Sequence, residues 1–246
     1  MAESRNHDLM SRRDALGTFG AMGLAMIFPS GAAGGLRDGA APDCIVAPEM
    51  TEGPFFVDEK LERSDLTTGT REPFVTKGLP LLLQIGVFHA KGRACSPLVG
   101  AQVDLWHASA EGVYSDEASG RIQDKDTSGE KYLRGYQRTN ENGAVSFRTI
   151  YPGWYPGRTV HIHFKIRTLS RSGRQAYDFT SQLFFDDALN DVILSRPPYD
   201  SRGARRIRNS NDGIYRRGRG STLVRNAKES EDGKSCAAAF NIGLEI

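Results

Sequence analysis

The chain has 246 residues, of which 39% are hydrophobic and 25% charged, with a formal net charge of +2. This is the composition of a folded globular protein and excludes a disordered, collagen-like or fibrous chain. The near-balanced charge supplies no global basic field for nucleic acid. Once a targeting segment is set aside, about 200 residues remain, enough for one domain with a real core.

The N-terminus reads as that targeting segment. "MSRRDALGTFGAMGLAMIFPSGAAGG" has paired arginines, Arg12 and Arg13, then a weakly apolar stretch from Ala15 to Phe28, then small residues. The apolar run is short for a membrane span, and the order basic, apolar, small is that of a secretory signal. Twin arginines point to the Tat route, so residues 1–33 are expected to be an export signal and the protein to be periplasmic or extracellular. In such a compartment three cysteines, Cys44, Cys95 and Cys236, fit one disulfide and one free thiol. Spacing does not fix connectivity, and Cys44–Cys95 is the pair expected here. Without a CxxC motif, no thiolate zinc site is expected.

Residues 34–80 show no sustained period and read as an extended arm, with "TEGPFF" (51–56) as a turn that packs aromatics. From residue 81 to 246 the chain reads as one β-domain. "LPLLLQIGVFHA" (79–90) is an apolar strand, and "GAQVDLWHA" (100–108) alternates, with Val103, Leu105 and His107 opposite Asp104 and Trp106. "KYLRGYQRT" (131–139) and "GAVSFRTIY" (143–151) flank "NENG", a hairpin signal. "RTVHIHFKIRT" (158–168) and "FTSQLFFDD" (179–187) are further strands, and "DDALNDVILS" (186–195) is the best helical stretch. Many short strands between Gly, Pro and Asn turns predict an all-β, single-domain antiparallel β-sandwich with long loops. Residues 196–225 carry nine arginines among Gly, Ser, Asn and Asp. They read either as solvated loops or as a patch for acidic polymers or carboxylated products.

The pair His161–His163 raises the chemical question. On a strand, residues two apart share a face, with Cα atoms about 6.6 Å apart. Two imidazoles so placed can meet one metal ion, or can be half-buried structural histidines. No histidine follows His163, and His7 falls in the signal, so only His89 and His107 remain as a third imidazole, and nothing marks either one out. The nearby polar groups are tyrosines: Tyr155 in "PGWYPGR" and Tyr114 in "AEGVYSD", after the "VDLWH" strand. A phenol titrates near pH 10 and loses its proton only when a cation draws it off. Two phenolates with two imidazoles suit a hard trivalent ion, with iron(III) the biological candidate. Read from the residues alone, Tyr114 and Tyr155 can equally be turn aromatics packing on the core.

In order, "TEGPFF", "PLVGAQVDLWHASAEGVYSD", "GYQRTNENGAVSFRTIYPGWYPGRTVHIHFKI" and "SQLFFDD" resemble the intradiol ring-cleavage dioxygenases, the family of catechol and protocatechuate dioxygenases. The resemblance runs from about residue 44 to 215 and implies a transthyretin (prealbumin)-like sandwich. It implies non-haem Fe(3+) held by Tyr114, Tyr155, His161 and His163, with Tyr155 the ligand that leaves when substrate binds. It puts Arg158 against negative charge on the bound ring, Gln182 near the substrate or oxygen pocket, and Phe55 and Phe56 on the pocket wall. The implied reaction cleaves a catechol-type ring between its two hydroxylated carbons, using O2, to a cis,cis-muconate-type product. The partners would be a small aromatic diol and O2, with no nucleic acid. Two departures stand out. The connector from Tyr155 to His161 is shorter than in the classical intracellular enzymes, which leaves substrate preference open. No counterpart of the N-terminal helical dimerisation segment is read, so the chain is similar to the compact secreted branch and its oligomeric state is open. A competing reading is a non-catalytic secreted transthyretin-like binding or structural module, which shares the strands and the "PGxY" turn. Iron content and colour separate the two.

Overall fold

Alternating apolar residues build two β-sheets whose inner faces form the core. A computed structural model describes residues 44–71, 77–91, 94–120, 123–170, 174–225 and 227–246. The expected export signal, 1–33, and the first ten residues of the expected arm, 34–43, lie outside these. The strands are β1 (Ile45–Val46), β2 (Pro80–Lys91), β3 (Ala94–Pro97), β4 (Gln102–Trp106), β5 (Arg134–Arg138), β6 (Ala144–Ile150), β7 (His161–Leu169), β8 (Gln175–Phe185), β9 (Val224–Arg225), β10 (Lys228–Glu229) and β11 (Cys236–Leu244). Two short helices, α1 (Asp187–Leu194) and α2 (Gly213–Arg217), follow β8.

One sheet is centred on β2, with β11 along one edge and β6 and β3 sharing the other; β1 and β10 flank β11. The second sheet has the order β5-β4-β7-β8-β9. Between them lie Leu81, Leu83, Ile85 and Phe147 from the first sheet and Val103, Leu105, Ile162, Phe164 and Ile166 from the second, all buried in one cluster. Phe164 meets Phe240 across the sheets at a ring separation of 5.9 Å. Burying each such side chain contributes about 1.5–3 kcal/mol.

Two expectations are corrected. The sandwich is not purely antiparallel, because β11 runs parallel to β2 from Cys236↔Leu81 to Leu244↔His89, and β1–β11 and β8–β9 are also parallel. Parallel neighbours need a long return connection; residues 186–223 supply it between β8 and β9, and β2 reaches β11 only through the intervening strands and loops. Nor do the strands around "NENG" form a hairpin. The turn itself closes as expected: Asn140 Oδ1 accepts from the amides of Asn142 (2.9 Å) and Ala144 (3.0 Å), and Gly143 takes φ +72°. But β5 pairs with β4 while β6 pairs with β2, so the turn hands the chain from one sheet to the other. Local turn chemistry reverses the chain and leaves the choice of strand partner to the core.

The expected disulfide Cys44–Cys95 is present, with Cα atoms 6.3 Å apart, and Cys236 is a buried free thiol. The described part of the arm is irregular, touching the sheets by single bridges at Glu62–Tyr136 and Asp65–Arg148. α1 begins where the sequence placed it, with Asp186 accepting from the Ala188 amide at 2.8 Å. The arginine-rich segment is only partly a solvated loop: Arg206, Arg216, Arg217 and Arg219 are exposed, whereas three other arginines are paired with carboxylates. Arg205, nearly buried, pairs with Asp187 and Asp191; Arg208 pairs with Asp191 and Arg196 with Glu229.

Candidate metal centre

Strand β7 places its residues on two unlike faces. Ile162, Phe164 and Ile166 enter the core, so His161 and His163 face the other way, off the outer side of the sheet. There the register sets Trp106 of β4 on one side of His163 and Gln182 of β8 on the other. An outer face would normally be wet. Here the "TEGPFF" segment and the loops bearing Tyr114 and Tyr155 cover it, and His161, His163, Tyr114, Trp106 and Gln182 are all 2% exposed or less.

The four candidate donors converge. His161 Nδ1 lies 2.6 Å from the Thr159 carbonyl and donates to it, which leaves the Nε2 lone pair outward. That Nε2 is 3.1 Å from His163 Nε2 and 3.1 Å from Tyr155 Oη. The Tyr114 ring is 5.5 Å from that of Tyr155 and 6.3 Å from that of His163, and its hydroxyl is buried with no hydrogen-bond partner among the described residues. The His163 ring lies flat on Trp106 at 4.9 Å, which fixes its plane. Donors 3.1 Å apart can both lie about 2.1 Å from a single ion.

Burial governs the protonation of all four groups. It holds the pKa of His161 well below the ordinary imidazole range, and the Arg158 charge lowers it further. Burial does the same to His163, helped by His161. Both imidazoles are therefore neutral at pH 7 and able to ligate. Burial pushes Tyr114 well above the ordinary phenol value and raises Tyr155. Each phenol keeps its proton until a cation removes it. Among the described residues no three His, Cys, Asp or Glu side chains come together; the neighbours of the two imidazoles are phenols. His107 is structural: its Nε2 lies 2.7 Å from Thr149 Oγ1 and its Nδ1 2.9 Å from the Ala108 carbonyl.

Arg158 stands beside this cluster. Its Nε donates to Asp212 Oδ2 at 2.8 Å and its Nη2 to Gln182 Oε1 at 2.6 Å, while Nη1 is 3.2 Å from His161 Nε2. Gln182 Nε2 in turn donates to the Thr51 carbonyl at 2.9 Å, tying the "TEGPFF" segment to the sheet. Phe55 stacks on Tyr114 at 4.0 Å and meets Tyr155 edge-on at 5.9 Å. Phe56 lies one layer further out, against Trp106 (4.9 Å) and under Lys165 (4.6 Å), so only Phe55 of the expected pair touches the tyrosines.

Three residues here escaped the sequence reading. Asp212 is buried, holds Arg158 and caps α2. Its Asp-Gly context reads as a helix cap, but nothing local reveals a partner more than fifty positions away. Arg134, 2% exposed, donates to Ser115 Oγ (2.8 Å), the Ser115 carbonyl (2.6 Å) and the Phe55 carbonyl (2.5 Å). Trp106 was visible as an outward residue of its strand, but not as the platform under His163.

A family model described as "Dioxygenase" matches residues 51–245. The chain belongs to the intradiol ring-cleavage dioxygenase family. It is similar in structure to an intradiol ring-cleavage dioxygenase from Tetranychus urticae, with 32% identity, a TM-score of 0.68, and coverage of 81% of this chain and 94% of that one. The dioxygenase domain of a dioxygenase–carbohydrate-binding fusion from a cellulolytic Streptomyces is 28% identical, with a TM-score of 0.56 and coverage of 82% and 99%. The catechol 1,2-dioxygenase of Acinetobacter baylyi is 32% identical over 114 residues, 44% of this chain and 32% of that protein. The chain thus spans about a third of the length of that curated relative. The region matched by the dioxygenase model opens on the "TEGPFF" segment and takes in both tyrosines, both histidines, Arg158, Gln182 and Asp212.

Proposed function

We propose that this chain is a non-haem iron(III) dioxygenase that opens the ring of a catechol between its hydroxylated carbons. The products are cis,cis-muconate-type diacids, with one O2 consumed per ring and both oxygen atoms retained. The observation that carries the reading is the convergence of two neutral imidazole nitrogens and a phenol oxygen at 3.1 Å spacings, beside a second, buried phenol whose hydroxyl has no hydrogen-bond partner among the described residues. An orphaned buried hydroxyl costs about 1–3 kcal/mol, and a ligated cation would remove that cost. Members of this family generally depend on iron(III), and two imidazoles with two phenolates fit a hard trivalent ion. His161, His163, Tyr114 and Tyr155 would hold it. When bound there, iron(III) supplies the Lewis acidity and electron withdrawal that expose a catecholate ring carbon to dioxygen.

The remaining work falls to the protein's own groups. Tyr155 is partly exposed where Tyr114 is sealed, so Tyr155, as the phenolate it would become on a bound cation, is the group placed to take a substrate proton at Oη. Arg158, pinned by Asp212 and Gln182, presents fixed positive charge to a catecholate oxygen without reorganising. Phe55 walls the ring side and excludes water. The export signal at 1–33 belongs to the same proposal and would put the reaction outside the cytoplasm.

The test is oxygen-18 incorporation on the iron-loaded protein with catechol. Two labelled atoms in a ring-opened diacid support the proposal. An intact ring, or a single labelled atom, overturns it.

A further inference from the structure

The arginines of segment 196–225 have no place in the chemistry above, yet one of them, Arg202, reaches the loops of the site. Arg202 ends a short 3₁₀ turn, Tyr199–Arg202, that is firmly seated. Tyr199 is buried; its hydroxyl donates to the Tyr151 carbonyl at 2.8 Å and accepts from the Leu79 amide at 2.9 Å. From this base the Arg202 guanidinium lies over the Trp154 ring, 5.2 Å from its centroid, while Nη1 donates to the Glu111 carbonyl. Its Nε is buried and finds no acceptor among the described residues, where the indole face and that one carbonyl hold the group.

Those two contacts belong to different loops. Glu111 lies three residues before Tyr114, and Trp154 immediately precedes Tyr155. The loops already touch backbone to backbone. The Gly153 amide donates to the Ser109 carbonyl at 3.1 Å. A Cβ at Gly112, whose φ is +71°, would strike the Trp154 carbonyl, and one at Gly153 would strike the Ala110 carbonyl. The turn that carries Tyr155 lies between strands rather than within a ladder, so these loop contacts and the packing of Trp154 on the core are what place it.

We propose that Arg202 is a positioning residue that clamps the Tyr114 loop to the Tyr155 turn and so sets the relative placement of the two phenols. The clamp rests on the reading of those phenols as metal ligands. It requires arginine: a planar guanidinium stacks on the indole while donating in its plane to a carbonyl, and an ammonium cannot do both.

The test compares wild type, Arg202→Lys and Arg202→Ala as full-length proteins. Hydrogen exchange is read on the metal-free forms, and the tyrosinate absorption band and steady-state kinetics on the iron-loaded forms. In Arg202→Ala, exchange at the Ser109, Gly112, Val113 and Gly153 amides rises about tenfold, the scale of losing one hydrogen bond to a charged group. Amides of the β2–β11 ladder stay as in wild type. The band shifts and kcat falls while KM holds, with the lysine variant intermediate. If the alanine variant does not fold, Arg202→Lys and Arg202→Gln, which keep a donor for the Glu111 carbonyl, carry the comparison. Unchanged loop exchange together with an unchanged band overturns the clamp. A wild-type protein that takes no iron overturns the functional reading instead, and loop exchange alone then decides the clamp.

Discussion

Asp212→Asn isolates the group that holds Arg158. Asp212 receives four hydrogen bonds: Arg158 Nε (2.8 Å) and the Thr159 amide (2.9 Å) on Oδ2, and the Ile214 (2.8 Å) and Tyr215 (2.9 Å) amides on Oδ1. Asparagine keeps the size and, with its oxygen on the helix side, the cap. Its NH2 then faces two donors, and each buried donor left unpaired costs about 1–3 kcal/mol. The expected loss is about 4 kcal/mol, within the roughly 3–5 kcal/mol for breaking a buried ion pair. That is a large part of a typical total of about 5–15 kcal/mol. Released from its anchor, Arg158 shifts relative to His161 and Gln182, and a displacement near 1 Å costs about a hundredfold in rate. Urea unfolding of both proteins measures the first effect, and kcat/KM at a temperature where both are folded measures the second. Burial opposes ionisation of Asp212, but the Arg158 charge and the Tyr215 and Thr159 amides outweigh it and hold its pKa below the ordinary carboxylate value. Its contribution is therefore complete at neutral pH and fades as pH falls below about 4. An asparagine variant within 1 kcal/mol of wild type (on the scale of ordinary surface changes) and with unaltered kcat/KM would refute this account of the Arg158 anchor.

Three further outcomes are expected. Tyr155→Phe keeps iron and loses turnover by orders of magnitude, whereas His161→Ala loses iron itself; metal analysis beside an activity assay separates them, and full activity in the first or full loading in the second contradicts the roles given. His107, His161 and His163 are buried neutral, with His107 held at about 4 by burial. Because the unfolded chain takes up protons below about pH 6.5 and the folded one does not, metal-free stability falls on acidification by about 1.4 kcal/mol per pH unit for each histidine; urea midpoints at pH 7, 6 and 5 record the slope. Replacing Cys44 and Cys95 with serine opens a loop with a sequence separation of 51 and lowers stability by about 4 kcal/mol in the chain-entropy account, measured as a shift in urea midpoint.

Strand positions were legible because they rest on short-range pattern, while the four candidate donors, spread from Tyr114 to His163, were brought together by the family resemblance. Alternation put Ile162 in the core and His161 with His163 on one face, and the structure keeps that division. What escaped depends on residues distant in sequence. The strands beside "NENG" follow hairpin rules locally, yet β6 finds β2 because its apolar face is needed in the other sheet. Parallel pairing of β11 with β2 joins residues more than 150 positions apart, which no window along the chain can register. Nothing beside Asp212 or Arg134 in the sequence marks out a long-range partner. Their roles arise only when the fold buries them against carbonyls, amides and a guanidinium. The paired arginines of segment 196–225 could not be told from the exposed ones for the same reason, since their carboxylate partners come from α1 and from β10.

The most direct measurement is a visible spectrum of the purified protein with metal analysis on the same sample. The account predicts stoichiometric iron and a broad tyrosinate-to-iron(III) charge-transfer band that shifts when catechol is added and weakens in Tyr114→Phe. A protein that stays colourless after reconstitution with iron would contradict it and favour a non-catalytic sandwich in which the two histidines only pack.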